Sequence, residues 1–351
     1  MTRRYRAALG AALALAASTV LAQGAQNYPA KPVRIIAPFP AGGGYDFAAR
    51  NIGQRLNESL GQPFVVENRS GANGNIGSEA VARAPADGYT LLLGGIGPQA
   101  LSVALYPKLA YDPVKDFEPI SLVAAQPNLL VVHPSLPVKT LKELVAFAKA
   151  RPGEVTFGSP SQGSGQHFGL EQMKLMTGTN FVHVPYKGAA PLHSALLSGE
   201  VSVGFNIIQL PLPYVKDGRL RALAVASTKR AALAPNIPTM AELGYPIDFD
   251  TWYALYAPAG TPRDIVAKLN AETNKALVNA DFREKAGVLG LELLGTTPDK
   301  LTAHMRGEIS RWVKVAKAAN IKLEYGVPLT LTLSPGAGRG NKNTSRACPS
   351  P

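Results

Sequence analysis

Val33-Arg34-Ile35-Ile36-Ala37-Pro38-Phe39-Pro40-Ala41-Gly42-Gly43-Gly44-Tyr45-Asp46 is an apolar run that ends in three successive glycines and then opens a helical pattern. The same grammar returns in Phe64-Val65-Val66-Glu67-Asn68-Arg69-Ser70-Gly71-Ala72-Asn73-Gly74-Asn75-Ile76-Gly77. A glycine turn at a helix start presents backbone N–H groups and the positive end of the helix dipole to whatever sits above it. Two such turns from one lobe make an anion cradle. They stand out because the rest of the chain offers little that looks like catalytic machinery.

Outward from these turns the chain alternates between two periodicities. Short apolar runs over 33–39, 64–66, 90–93, 129–132, 155–158, 181–186, 201–205, 220–226 and 252–257 read as buried strands. Helical stripes lie between them. Ala48, Ile52, Leu56 and Leu60 recur at four-residue steps. Thr140 with Glu143 reads as a capping box, and Gly199 closes the stripe Leu192, Ala195, Leu196. Thr261-Pro262 and Thr297-Pro298 each look like an N-cap followed by an N1 proline. They precede the stripes Ile265, Leu269 and Leu301, Met305, Ile309, Trp312, which read as core. The alternation predicts an α/β protein with largely parallel sheets.

The ends differ from the body. Arg3, Arg4 and Arg6 precede an apolar stretch over 7–21, and Val20-Leu21-Ala22 suits signal cleavage, giving a signal peptide over 1–22 and a mature start near Gln23. The alternative for that segment is an uncleaved membrane anchor. Residues 325–351 lack any stripe and are rich in Gly, Pro, Ser and Thr, so they read as a disordered or appended tail. The 351 residues suffice for two domains, and the single cysteine, Cys348, excludes an intramolecular disulfide. Half of the formal charge of +12 sits at the ends, on Arg3, Arg4, Arg6, Arg339, Lys342 and Arg346. The mild basicity that remains suits a small anion. No basic run interleaved with aromatics points to nucleic acid.

Several chemistries are excluded by spacing. Gly71, Gly74 and Gly77 give G-x-x-G-x-x-G, not the dinucleotide fingerprint. There is no P-loop and no G-x-S-x-G elbow. His133, His167, His183, His193 and His304 show no mutual ligand spacing, so no metal and no cofactor is expected. What remains is polar loops after strands. Ser159-Pro160-Ser161-Gln162-Gly163-Ser164-Gly165-Gln166-His167 is dense in hydroxyls, amides and free N–H groups, though a capped helix start would look the same. His167 reads more plainly as a helix-start residue than as a catalyst, and Lys187 reads equally as a solvated turn lysine. Asn206 ends a strand, where open α/β sheets present ligand groups, although it would equally bond neighbouring backbone.

At these residues the chain closely resembles the Bug family, the extracytoplasmic solute receptors of tripartite tricarboxylate transporters. The resemblance runs from about Tyr28 to Glu324. It rests on Pro38-Phe39-Pro40-Ala41-Gly42-Gly43, Glu67-Asn68-Arg69, Ala86-Asp87-Gly88-Tyr89-Thr90, Tyr111-Asp112-Pro113-Val114-Lys115-Asp116-Phe117, His183-Val184-Pro185-Tyr186-Lys187-Gly188 and Ala257-Pro258-Ala259-Gly260-Thr261-Pro262. It implies a two-lobed periplasmic-binding-protein (Venus flytrap) fold with a mostly parallel sheet in each lobe. Lobe one would comprise 23–125 and 248–324, and lobe two 126–247. It further implies that one ligand carboxylate is held by Phe39, Ala41, Gly42 and Gly43 of the first turn with Asn73 and Gly74 of the second. Lobe two would close with Ser161, Gln162, Ser164, His167, Lys187 and Asn206.

Three departures from the family pattern are visible. Asn206 stands where Asp is usual, Tyr45 replaces a small residue, and the 325–351 extension has no counterpart. Asn206 predicts a ligand without an essential amino group, and Tyr45, if it faces the cleft, would favour a ring or a short chain by narrowing the entrance. The resemblance implies a monomeric, non-enzymatic periplasmic receptor that delivers a small carboxylate to membrane transporter subunits. A sensor presenting the same ligand to a membrane kinase, or an enzyme on the same fold, are the alternatives.

Overall fold

The computed structural model describes residues 27–321. The expected signal peptide and the expected tail lie outside them. Ten strands form two sheets that share one long strand. In the first sheet β1 (Val33–Ala37) lies between β2 (Phe64–Asn68) and β3 (Thr90–Gly95), all parallel. β3 pairs with β9 (Asp250–Pro258), and β9 with β4 (Phe117–Val132), both antiparallel. The short β10 (Glu292–Leu293) adds to the other side of β4.

β4 then passes into the second sheet. Its register partner changes from Asp250 at Pro127 to Ile207 and Ala226 at Asn128. There β7 (Val203–Ile207) and β8 (Arg221–Ala226) flank it antiparallel, while β5 (Thr156–Ser159) and β6 (Val182–Pro185) continue outward from β7 in parallel. The expected parallel character therefore holds in the outer half of each sheet and gives way at the centre. The reason is topological. A chain that crosses from one lobe to the other and returns must run once in each direction, so β4 and β9 lie antiparallel. The expected strand at 129–132 is only the end of β4, because Pro119, Gln126, Pro127 and Asn128 break its apolar run.

Helices connect the strands. Before β4 they are α1 (Gly44–Leu60), α2 (Asn75–Ala82) and α3 (Ser102–Leu105), and after β9 α8 (Arg263–Leu277), α9 (Ala280–Val288) and α10 (Pro298–Ala318). Between β4 and β9 they are α4 (Leu141–Ala150), α5 (Gly165–Thr177), α6 (Ala189–Ser198) and α7 (Leu212–Lys216). The caps follow the sequence closely. Thr140 accepts from the Glu143 amide at 3.1 Å, and Gly199 takes the left-handed conformation, φ 78°. Thr297 caps α10, with Pro298 at N1. At the other Thr-Pro pair the helix starts one residue later, and Thr261 Oγ1 donates to Pro258 O instead.

One apolar cluster runs through both lobes, from Ile36 and Leu92 to Phe157 and Phe205. Trp312 of α10 packs edge-on against Phe168 of α5, ring centroids 5.4 Å apart. Phe249, just before β9, bridges Phe205 at 5.0 Å and Trp312 at 6.4 Å. Fully burying such a ring contributes about 2–3 kcal/mol. The returning segment thus holds the lobes together by ring packing as well as by strand pairing.

Candidate ligand-binding site

The first glycine turn leaves β1 at its C-terminal end and is closed by its own helix. Asp46, in the first turn of α1, accepts the Gly42 amide on Oδ2 at 3.0 Å and Arg50 Nε on Oδ1 at 2.9 Å. Burial pushes this carboxyl up, but the hydrogen bonds from Arg50 and Gly42 outweigh it and leave it below the usual range. Asn68, at the end of β2, donates to Phe39 O at 3.0 Å and accepts from Arg50 at 3.2 Å. The Glu67-Asn68-Arg69 triplet therefore ties the second strand to the first turn. Ala41, Gly42 and Gly43 are exposed. Gly42 N–H is already spent on Asp46. The open donors are the amides of Gly43, Gly44 and Tyr45, which start α1 and have no intrahelical acceptor.

Tyr45 follows the turn in α1. It is buried, stacked on Phe39 with centroids 4.4 Å apart and edge-on to Tyr253 at 4.7 Å. Its ring packs between Phe39 of the first turn and Tyr253 of β9. Gly95 leaves room for this ring, since a Cβ there would lie 2.6 Å from Tyr45 Oη, and Gly44 leaves room for Tyr253, whose Oη a Cβ would overlap.

The second turn is left-handed through four residues: Gly71 (φ 133°), Ala72 (47°), Asn73 (57°) and Gly74 (88°). Ala72 and Asn73 hold a conformation that costs L-residues about 1–2 kcal/mol each. A Cβ on Gly74 would lie 3.1 Å from both Phe39 and Pro98, so the two turns touch. Asn73 Nδ2 is buried and has no hydrogen-bond partner among the described residues.

A third turn, absent from the sequence expectations, completes this floor. Gly94-Gly95-Ile96-Gly97 ends β3 and opens the helical segment Gly97–Leu101. Gly97 packs against Asn73, whose backbone O and Oδ1 both lie 3.2 Å from where its Cβ would be. The signal was present, since 90–97 repeats strand–glycine–helix, but its glycines are split by Ile96.

Lobe two presents its own loop. A Cβ on Gly165, the first residue of α5, would lie 3.6 Å from Ile96 Cδ1, so this helix start faces the third turn. Ser164 caps α5 by accepting from His167 N at 3.3 Å and donates to Ser161 O at 2.8 Å. His167 is buried. Its Nδ1 accepts from the Gly163 amide at 3.0 Å, and its ring stacks on His183 at 4.0 Å. Burial lowers His167 to about 3 and His183 to about 4, so both are neutral. His167 thus occupies the plainer of its two expected roles. Gln162 is half-buried beside it, and Lys187 is exposed. Asn206 is fully buried. Its Oδ1 accepts from Ile207 N at 2.9 Å, and its Nδ2 donates to Ala189 O at 3.4 Å.

Three glycine turns at the strand ends of one lobe, facing a polar helix start on the other, define a two-lobed solute-binding protein. The model of the tripartite tricarboxylate transporter family receptor matches residues 48–321. The chain is 41% identical over 303 residues to the protein BugT of Bordetella pertussis, covering 86% of this chain and 93% of that one. It is similar in structure to R. palustris Rpa4515 with adipate, with TM-score 0.77 and 40% identity over 84% of this chain and 100% of that one. MatC from Rhodopseudomonas palustris with bound malate matches with TM-score 0.73 and 34% identity, over 82% of this chain and 99% of that one. The chain belongs to the Bug-type receptors of the tripartite tricarboxylate transporter family.

Proposed function

We propose that this protein is a monomeric periplasmic receptor, exported by its signal peptide, that captures a small carboxylate and hands it to the membrane subunits of a tripartite transporter. One carboxylate of the ligand sits over the glycine turns and accepts from the amides of Gly43, Gly44 and Tyr45 and from Asn73 Nδ2. Lobe one comprises 23–125 and 248–324 and lobe two 126–247, a division supported by the partner switch of β4 between Pro127 and Asn128. Closure of the lobes brings Ser161, Gln162, Ser164 and Lys187 over the ligand. Asn206 keeps its amide on backbone and brings no charge to lobe two, so no ligand amino group is called for.

The observation that carries this reading is the unpartnered Asn73 amide on a strained left-handed turn. A buried donor without an acceptor costs about 1–3 kcal/mol, and a carboxylate oxygen removes that cost. The relatives caught with adipate and malate support the same ligand class. Backbone amides suit the task because they are fixed and do not titrate.

The test is calorimetry of the mature protein against adipate, malate, succinate and aspartate. Asn73→Gly keeps the left-handed turn and removes only the side-chain donor. It should leave the melting temperature within a few degrees and weaken the bound carboxylate about tenfold or more. Binding of none of the carboxylates by the wild type, or unchanged affinity in Asn73→Gly, would overturn the reading.

A further inference from the structure

Gln126 lies on β4 one residue before the switch between sheets and is fully buried, 1% exposed. Its carboxamide is held from three sides. Nε2 donates to Leu289 O at 2.6 Å, Nε2 also donates to Gln209 Oε1, and Oε1 accepts from Tyr253 Oη at 3.1 Å. The Leu289 carbonyl is acceptor-only, which fixes the nitrogen end of Gln126. Gln209 must therefore meet that nitrogen with its oxygen. Both N–H donors of the Gln209 amide are left directed away from Gln126, and no hydrogen bond uses them among the described residues.

This amide lies where β4 passes from one sheet to the other. Gln209 follows β7 of the second sheet, two residues beyond Ile207, which pairs with Asn128. Tyr253, which anchors Gln126, is the residue packed against Gly44 and Tyr45 of the first glycine turn. Side chains alternate along a strand, so Gln126 stands on the face opposite Ala125 and Pro127. Those two line a cavity of about 570 Å³, and neither Gln126 nor Gln209 borders it. The half-buried Gln209 is linked instead to the first turn, through Gln126 and then Tyr253. Asn206, three residues earlier, has its own amide committed to backbone at both ends.

We infer that Gln209 is a specificity residue: its pre-oriented N–H donors read an acceptor at the second end of the ligand, selecting dicarboxylates over monocarboxylates. Gln126 is the positioning residue that sets the direction of those donors. A neutral amide accepts either a second carboxylate or a hydroxyl-bearing end without the repulsion an acid would impose. The inference rests on the carboxylate reading above, which supplies the first end of the ligand.

The experiment uses paired probes of equal chain length: succinate with butyrate, glutarate with pentanoate, adipate with hexanoate. Affinities are measured by calorimetry on the mature wild type, Gln209→Ala and Gln209→Glu, with melting temperatures confirming the fold. Wild type should prefer the diacid of at least one pair. Gln209→Ala should lose about tenfold on that diacid and little on its monoacid. Gln209→Glu should lose more on the diacid, by adding a like charge. Equal losses on both members of the pair, or none on either, overturn the inference alone. Wild type binding none of the six overturns the carboxylate reading and this inference with it.

Discussion

The Gly42 amide donates to Asp46 Oδ2 at 3.0 Å, so the first glycine turn is clamped by the helix that it opens. The clamp consumes one turn amide and orients those of Gly43 and Gly44. Arg50 holds the far oxygen of the same carboxylate and also reaches Asn68, which in turn holds Phe39 O. The cradle is therefore rigid before any ligand arrives, which lowers the ordering cost of binding.

Breaking that clamp gives the first prediction. Asp46→Ala strips Arg50 and Gly42 of their acceptor and should destabilise the protein by about 1–3 kcal/mol. It should also weaken carboxylate binding, because the turn loses its fixed shape. Asp46→Asn keeps an acceptor for Gly42 and should retain more of both. Thermal melts paired with calorimetry check this; an Asp46→Ala protein with wild-type affinity would show that the turn needs no clamp.

Gly43 and Gly74 should respond differently to the same substitution. Gly43 has an ordinary backbone, φ −87°, and a Cβ there would meet nothing closer than Pro40 O at 3.7 Å. Gly43→Val should fold normally and lose the ligand, because its side chain fills the open space above the helix start. Gly74 has φ 88° and Phe39 and Pro98 at 3.1 Å, so Gly74→Val should also lose about 1–3 kcal/mol of stability. Melting temperatures separate the two, and full affinity in a folded Gly43→Val would remove the first turn from the site.

The repeated strand–glycine–helix pattern made the first two turns legible, because apolar periodicity and glycine position are local properties. The caps at Thr140, Gly199 and Thr297 were legible for the same reason. The sixteen-residue β4 was not, since its prolines and amides interrupt the run that would mark a strand. Gln126 and Gln209 are polar residues in such a stretch, and their meaning depends on Leu289 and Tyr253, which are distant in sequence. Tyr45 stands beside the first turn in sequence, but the room for its ring is made by Gly95, fifty residues on. Asp46 was visible as a helix-start acid, whereas its hold on Gly42 is a matter of turn geometry.

The last prediction concerns pH. Asp250 begins β9 where the two sheets exchange strands. Ser227 Oγ donates to its Oδ2 at 3.0 Å, and its Oδ1 is buried without a partner among the described residues. Burial, with Asp248, Glu292 and Glu308 nearby, pushes this carboxyl up from 3.8 to about 6. Between those two values the folded protein holds a proton that the unfolded chain releases. Stability from this group therefore falls as pH rises through that window, and the full cost, at most ~3 kcal/mol, is present above pH 6. Asp250→Asn should raise the melting temperature at pH 7.5 and leave it unchanged near pH 4. His167 and His183 act in the opposite sense. Both are held neutral at values well below 6.5, so stability drops as pH falls from about 6.5 toward 4. That loss is common to wild type and variant and cancels in their difference. A variant-minus-wild-type difference that stays constant from pH 4 to pH 7.5 would show that Asp250 carries its charge without cost in the folded protein.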